Sequence, residues 1–177
     1  QISMEKILIL DYGSQYTQLI ARRLRELGVF SEIHPPTLPL AAWRDPEVRG
    51  VILSGGPESV YADGAPDIPE GALDGGIPVL GICYGMQLMT HRLGGKVVPG
   101  QHREYGKAIL ERHSAAGMLK EWADLEQVWM SHGDRVESVP EGFRVTGVST
   151  GSPFAAIEHG SKPLLGIQFH PEVVHTP

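Results

Sequence analysis

The sequence predicts an α/β protein: an open, mostly parallel twisted sheet with flanking helices, extended by short antiparallel strands in its second half. Three observations lead there. Residues 6–10, 50–54 and 78–82 are nearly continuous aliphatic runs, the pattern of parallel strands covered on both faces. Residues 15–27 and 84–93 follow such runs and carry helical signals. From residue 96 onward the texture changes to brief β-like runs separated by turn residues.

Taken in order, Lys6-Ile7-Leu8-Ile9-Leu10 stops at Asp11-Tyr12-Gly13-Ser14. Tyr16, Leu19, Ile20, Leu24 and Leu27 then recur at three- and four-residue spacing, one stripe of a helix over 15–27. Ser14 can cap its start, and Gly28 stands where a C′ glycine belongs. Residues 30–34 read as a second strand, and Pro35, Pro36 and Pro39 mark a loop. A third strand over 50–54 ends at Gly55-Gly56-Pro57. Residues 62–76 are rich in Gly, Pro and Asp, hence loop or short helix. A fourth strand over 78–82 runs into a helix over 84–93, which Gly94-Gly95 closes. This β-α-β-β-α order argues an open, largely parallel sheet. Beyond it, 96–99, 108–110, 128–130, 143–148, 154–157 and 164–169 are β-like, and 115–123 is the main helical stretch. Antiparallel strands there extend the sheet or form a small satellite sheet.

The length, 177 residues, suits one domain. We assign it to residues 4–177 and leave residues 1–3, which precede Met4, outside the fold. Fifteen Lys and Arg against 21 Asp and Glu give a net charge of −6. That balance excludes a nucleic-acid backbone binder and a polybasic membrane anchor. No apolar run reaches the roughly 18 residues that span a bilayer, and no signal peptide is visible. The single cysteine, Cys83, cannot form an internal disulfide or a cysteine-based zinc site. Such usage suits a reducing, cytoplasmic setting, and no metal is expected.

Gly81-Ile82-Cys83-Tyr84-Gly85 carries the strongest chemical signal. An aliphatic strand enters G-x-C-x-G and a helix starts at once, the nucleophile-elbow pattern with sulfur in place of oxygen. The positive end of that helix favours a thiolate. The plain alternative is a buried structural cysteine at a strand end. A thiol nucleophile needs a base and an orienter for it. Among eight histidines, His170 stands at the end of an aliphatic strand, where α/β sheets place ligand chemistry, with Glu172 two positions on. His132 is its rival. His34, His91, His102, His113, His159 and His175 have no such frame and are given no catalytic role. Ser54-Gly55-Gly56-Pro57 can bare backbone N–H groups as oxyanion donors, with the N–H of Tyr84 as a second. Trp129-Met130-Ser131-His132-Gly133-Asp134 reads as a strand followed by a glycine turn, a fourth polar loop facing the same cleft.

Ser54 to Pro57, Gly81-Ile82-Cys83-Tyr84-Gly85-Met86-Gln87 and Gly166-Ile167-Gln168-Phe169-His170-Pro171-Glu172 resemble the three signatures of class I (triad) glutamine amidotransferase domains, in the same order. Three further segments, Asp11 to Arg23, Trp129 to Asp134 and His170 to Thr176, resemble the bacterial-type GMP synthase branch of that family. The resemblance implies a flavodoxin-like sheet. It also implies hydrolysis of the glutamine side-chain amide through a cysteinyl thioester on Cys83. His170 would relay protons, Glu172 would orient His170, and Gly56 and Tyr84 would form the oxyanion hole. Gly56, Tyr84, Gln87, Ser131, Gly133 and Asp134 would contact L-glutamine. Gln87, one helical turn after Cys83, would meet the α-amino group, and backbone N–H groups near Gly133 the α-carboxylate.

The resemblance further implies that the ammonia goes to an ATP-pyrophosphatase (synthetase) domain that aminates XMP to GMP, in a protein that dimerises through a further domain. Ser54-Gly55-Gly56 is followed by Pro57-Glu58-Ser59, and no loop of the synthetase type occurs. ATP and magnesium are therefore expected to belong to a domain outside this chain. The alternatives are the glutaminase domain or subunit of another class I amidotransferase, a cysteine hydrolase on a similar fold, and a non-catalytic binding module.

Overall fold

The computed structural model describes residues 5–57, 59–112, 125–149 and 152–171. The elements run β1 (Lys6–Leu10), α1 (Thr17–Glu26), β2 (Ser31–His34), α2 (Leu40–Trp43), β3 (Val48–Leu53), a 3-10 turn (Ala72–Asp74), β4 (Val79–Ile82), α3 (Tyr84–Arg92), β5 (Lys96–Arg112), β6 (Leu125–Ser138), β7 (Phe143–Ser149), β8 (Ser152–His159) and β9 (Leu164–Ile167). All nine strands form one sheet in the order β2-β1-β3-β4-β9-β8-β7-β5-β6. The first five in that order are parallel, and from β9 onward neighbours are antiparallel. The antiparallel strands thus extend the sheet.

Alternation along the aliphatic runs decides which face each side chain covers. Leu8 and Leu10 of β1, Leu53 of β3 and Val79 of β4 pack with Leu88 and Met89 of α3. Ile9, Ile82 and Ile167 turn the other way and pack with Ile20 of α1. Helices therefore cover both faces of the parallel part. Each such side chain, fully buried, contributes roughly 1.5–3 kcal/mol.

Both longer helices end as their glycines indicate. At α1, Gly28 has φ +75; its N–H donates to Arg25 O at 2.9 Å, and that of Val29 to Leu24 O at 2.8 Å. At α3, Gly94 has φ +94, and the same pair of bonds runs from Gly94 to His91 O and from Gly95 to Thr90 O. These are two Schellman ends. The start of α1 differs from expectation. Its N-cap is Tyr16, without a side-chain cap, and the helix begins at Thr17. Ser14 Oγ instead accepts the N–H of Tyr16 at 2.9 Å, a local turn that holds the chain outside the helix for two more residues.

The second half contains fewer and longer strands than its sequence suggests. The runs at 96–99 and 108–110 belong to one strand, β5, paired with β6. Residues 131–134, expected as a glycine turn, lie inside β6. The ladder explains this. Pro99 pairs with Asp134 and Glu104 with His132, so residues 100–103 bulge opposite Gly133 and β6 itself stays extended. The expected helix at 115–123 lies outside the described residues. Among those residues, no helix is long and apolar enough to cross a membrane.

Candidate active site

The chemistry-bearing residues sit at the carboxyl ends of β1, β3, β4 and β9, which are contiguous in the sheet. Gly81 of β4 and Gly166 of β9 are register partners. A Cβ on Gly166 would lie 2.8 Å from Met86 Cγ, and one on Gly81 would lie 2.7 Å from the Gly85 and Met86 backbone. A Cβ on Gly85 would collide with the carbonyl of Leu53. These three glycines let the first turn of α3 descend onto the strands. The chain then has one residue in which to leave β4 and enter the helix.

That residue is Cys83. It is the N-cap of α3 with φ 51 and ψ −108, and no other non-glycine residue described has positive φ. Its N–H donates to Ile167 O at 2.8 Å, which fastens the elbow to β9. The thiol sits 3.3 Å from His170 Nε2 and donates to the main-chain carbonyl of Gln168 at 2.9 Å. Both Cys83 and His170 are 3% exposed. A Cβ on Gly55 would meet His170 Cε1 at 3.1 Å and Cys83 Cβ at 3.4 Å, so the loop after β3 closes over both. The Tyr16 ring meets the imidazole edge-on, with centroids 4.8 Å apart.

The loop after β3 is itself anchored. Ser54 Oγ accepts the N–H of Tyr12 at 2.9 Å, and Ser54 O accepts the N–H of Gly85 at 3.2 Å. Gly56 lies so close to Tyr12 that a side chain there would strike the Tyr12 carbonyl. Tyr12 packs on Tyr84 with centroids 5.3 Å apart, and its hydroxyl donates to Asp67 O. Burial first, then the Tyr84 and Asp67 neighbours, raise the Tyr12 pKa far above the usual phenol value. Its phenol is a neutral donor here.

Gln87 is 3% exposed, and its Nε2 donates to Asp134 O at 3.0 Å and to Gln168 Oε1 at 3.3 Å. An isolated bridge between Met130 and Phe169 draws β6 toward the end of β9. So Cys83, Tyr84, Gly56, Gln87, Asp134 and His170 converge, and Ser131 and Gly133 share β6 with Asp134. Glu172 lies outside the described residues, as do His175 and Thr176. Among the histidines given no catalytic role, His34 pairs with Glu32, His91 meets Tyr61 edge-on, and His159 Nδ1 accepts from the Ser161 and Lys162 backbones. Sequence reasoning named Ser54 and Gln168 only inside larger motifs, with no role for either side chain, and Tyr16 only as part of the helical stripe. Their only signal was a polar residue at a strand or helix end.

A buried thiol at a strained elbow, facing an imidazole beneath a glycine loop, is equipped for acyl transfer. The family model for class-I glutamine amidotransferases matches residues 8–177. The chain belongs to this family. Its relatives agree with the placement. This amidotransferase chain is 53% identical over 173 residues to a glutamine-hydrolysing GMP synthase of Maridesulfovibrio salexigens, covering 97% of this chain and 34% of that protein. It is 55% identical over 176 residues to that of Streptococcus equi subsp. zooepidemicus, covering 98% and 34%. The amidotransferase chain thus spans about a third of the length of these curated relatives. A solved structure from Thermoplasma acidophilum, described as a GMP synthase subunit, superposes with TM-score 0.86 at 30% identity, covering 99% of this chain and 88% of that one. A Thermotoga maritima glutamine amidotransferase shares the fold, with TM-score 0.76 at 23% identity over 98% of this chain and 78% of that one.

Proposed function

We propose that this chain hydrolyses the side-chain amide of L-glutamine and supplies the ammonia to a synthetase partner that aminates XMP to GMP. The observation that carries the hydrolytic reading is the 3.3 Å approach of Cys83 Sγ to His170 Nε2 at the elbow. Family membership selects the amide of glutamine, and the GMP synthase relatives favour the acceptor.

In this mechanism the Cys83 thiol gives its proton to His170 and the sulfur attacks the carboxamide carbon. The oxyanion forms beside the backbone amides of Gly56 and Tyr84. His170 returns the proton to the leaving nitrogen, ammonia departs, and a glutamyl thioester remains. Water, deprotonated by His170, then attacks the thioester. The C–S bond breaks, glutamate leaves, and the thiolate regains its proton. Glu172 holds the imidazole in the productive tautomer. Gln87, Ser131, Gly133 and Asp134 bind the amino-acid end of the substrate. ATP and magnesium act in the synthetase partner, and a further domain provides the dimer contact of the whole protein.

Ammonia release tests this. Cys83→Ala is expected to abolish it with the fold intact, and a glutamine-analogue electrophile is expected to label Cys83. His170→Ala should lower the rate about 10²–10⁴-fold, the usual worth of a positioned base, and Glu172→Gln less. Activity surviving in Cys83→Ala, or His132→Ala proving worse than His170→Ala, overturns the assignment.

A further inference from the structure

We infer that Gln168 is a positioning residue: it fixes the plane of the Gln87 amide, whose orientation Asp134 O selects, and so aims Gln87 Oε1 at the substrate and sets the preference for a free α-amino group. The inference rests on the reading of glutamine as substrate. Gln168 follows β9 directly and is 1% exposed. Its main chain is held on both sides, the N–H donating to Ala155 O at 2.8 Å and the carbonyl accepting the Cys83 thiol at 2.9 Å. The direction in which its side chain leaves is therefore set by the sheet.

A primary amide carries two N–H donors and one carbonyl acceptor. Both donors of Gln87 have acceptors, one in Asp134 O and the other in Gln168 Oε1. Asp134 offers a main-chain carbonyl, which cannot donate, so a flipped Gln87 would set oxygen against oxygen. With both N–H groups engaged, what Gln87 retains is its Oε1, which makes no hydrogen bond among the described residues. That atom accepts. It suits an ammonium and repels a carboxylate. Asp134 holds the amide by one N–H; Gln168 supplies the second point that fixes its plane.

The arrangement has a cost that identifies its purpose. Gln168 Nε2 is buried and has no hydrogen-bond partner among the described residues. A methionine of nearly the same length would carry no such unmade donor, so the fold alone does not call for an amide here. The Oε1 contact to Gln87 is what the amide provides.

The experiment is steady-state ammonia release by the full-length protein with its nucleotide substrates present. L-Glutamine is compared with glutaramic acid, the same chain without the α-amino group. In Gln168→Met, KM for glutamine is expected to rise about tenfold, with kcat falling by no more than about twofold. The preference for glutamine over the deaminated analogue should shrink by about the same tenfold factor. Alkylation of Cys83 by iodoacetamide should keep its wild-type rate, because the main-chain carbonyl and His170 are untouched. The thermal midpoint should stay level or rise. Gln168→Glu retains an acceptor at the same reach and should restore the preference. An unchanged KM and preference in Gln168→Met overturns the inference while leaving the glutamine reading in place, as does slowed alkylation, which would make Gln168 a support of the nucleophile. Wild-type protein that releases no ammonia from glutamine overturns both.

Discussion

Cys83 occupies a backbone conformation that glycine adopts easily and other residues rarely, with φ 51 and ψ −108. Such strain costs on the order of 1–3 kcal/mol and persists only where the surroundings over-determine it. Here they do, through the N–H bond to β9 below and the glycines that seat α3 above. Cys83→Gly removes the strain together with the thiol. It is expected to release no ammonia yet to unfold in urea with a stability higher by about 1 kcal/mol, the strain relieved less the thiol burial lost. Equal or lower stability would show an unstrained junction. The elbow at Cys83 was legible because strand, glycines and helix compress into five residues. The roles of Tyr16 and Gln168 were not, since each depends on a contact made across the sheet. Ser14 reads as a cap in the sequence, yet its hydroxyl serves a local turn just outside the helix.

At the scale of elements, the seat of α3 rests on glycines of unequal importance. A Cβ on Gly85 meets the rigid carbonyl of Leu53, whereas one on Gly166 meets the side chains of Met86 and Ile157, which can shift. Gly85→Ala is therefore expected to destabilise the protein by about 3 kcal/mol and to slow ammonia release sharply, with Gly166→Ala costing about 1 kcal/mol. Chemical denaturation and activity measured together check the order; a costlier Gly166→Ala would mean that α3 is not set by the β3 carbonyl. The parallel strands were readable because burial on both faces leaves an unbroken aliphatic run. The hairpin of β5 and β6 was not. Pro99 and Gly106 read as interruptions, yet both pair with β6 in the ladder, and the bulge over residues 100–103 opposite Gly133 absorbs the misfit.

For the whole molecule, the site is buried. Cys83 and His170 are each 3% exposed, and the thiol is shared between His170 and the Gln168 carbonyl. The chain spans about a third of the length of its curated relatives, and the proposed function places the ammonia acceptor in a partner. Assayed alone, the chain is expected to hydrolyse glutamine slowly and without response to nucleotides. The full-length protein with ATP and XMP should turn over faster as loops bearing Gly55 and Gly56 shift toward the competent form. Ammonia release by each, with and without nucleotides, makes the comparison. Equal and fast release in all four conditions would mean that the partner only receives ammonia.

The placement of β9 has a consequence for how such a protein comes into being. Late in sequence, it is central in space, lying between β4 and β8. Until it enters, β4 has a bare edge and Cys83 lacks both its N–H acceptor and its imidazole. The pairing joins residues about 85 apart in sequence, as Val79 with Leu164 and Ile82 with Ile167. Closing a loop of that span is entropically unfavourable and kinetically late. A nascent chain therefore carries a thiol but no reactive pair until β9 and His170 have been made and docked. The pair that the proposed hydrolysis needs is assembled only when the sheet is whole, so under that proposal a truncated or misfolded product consumes no glutamine.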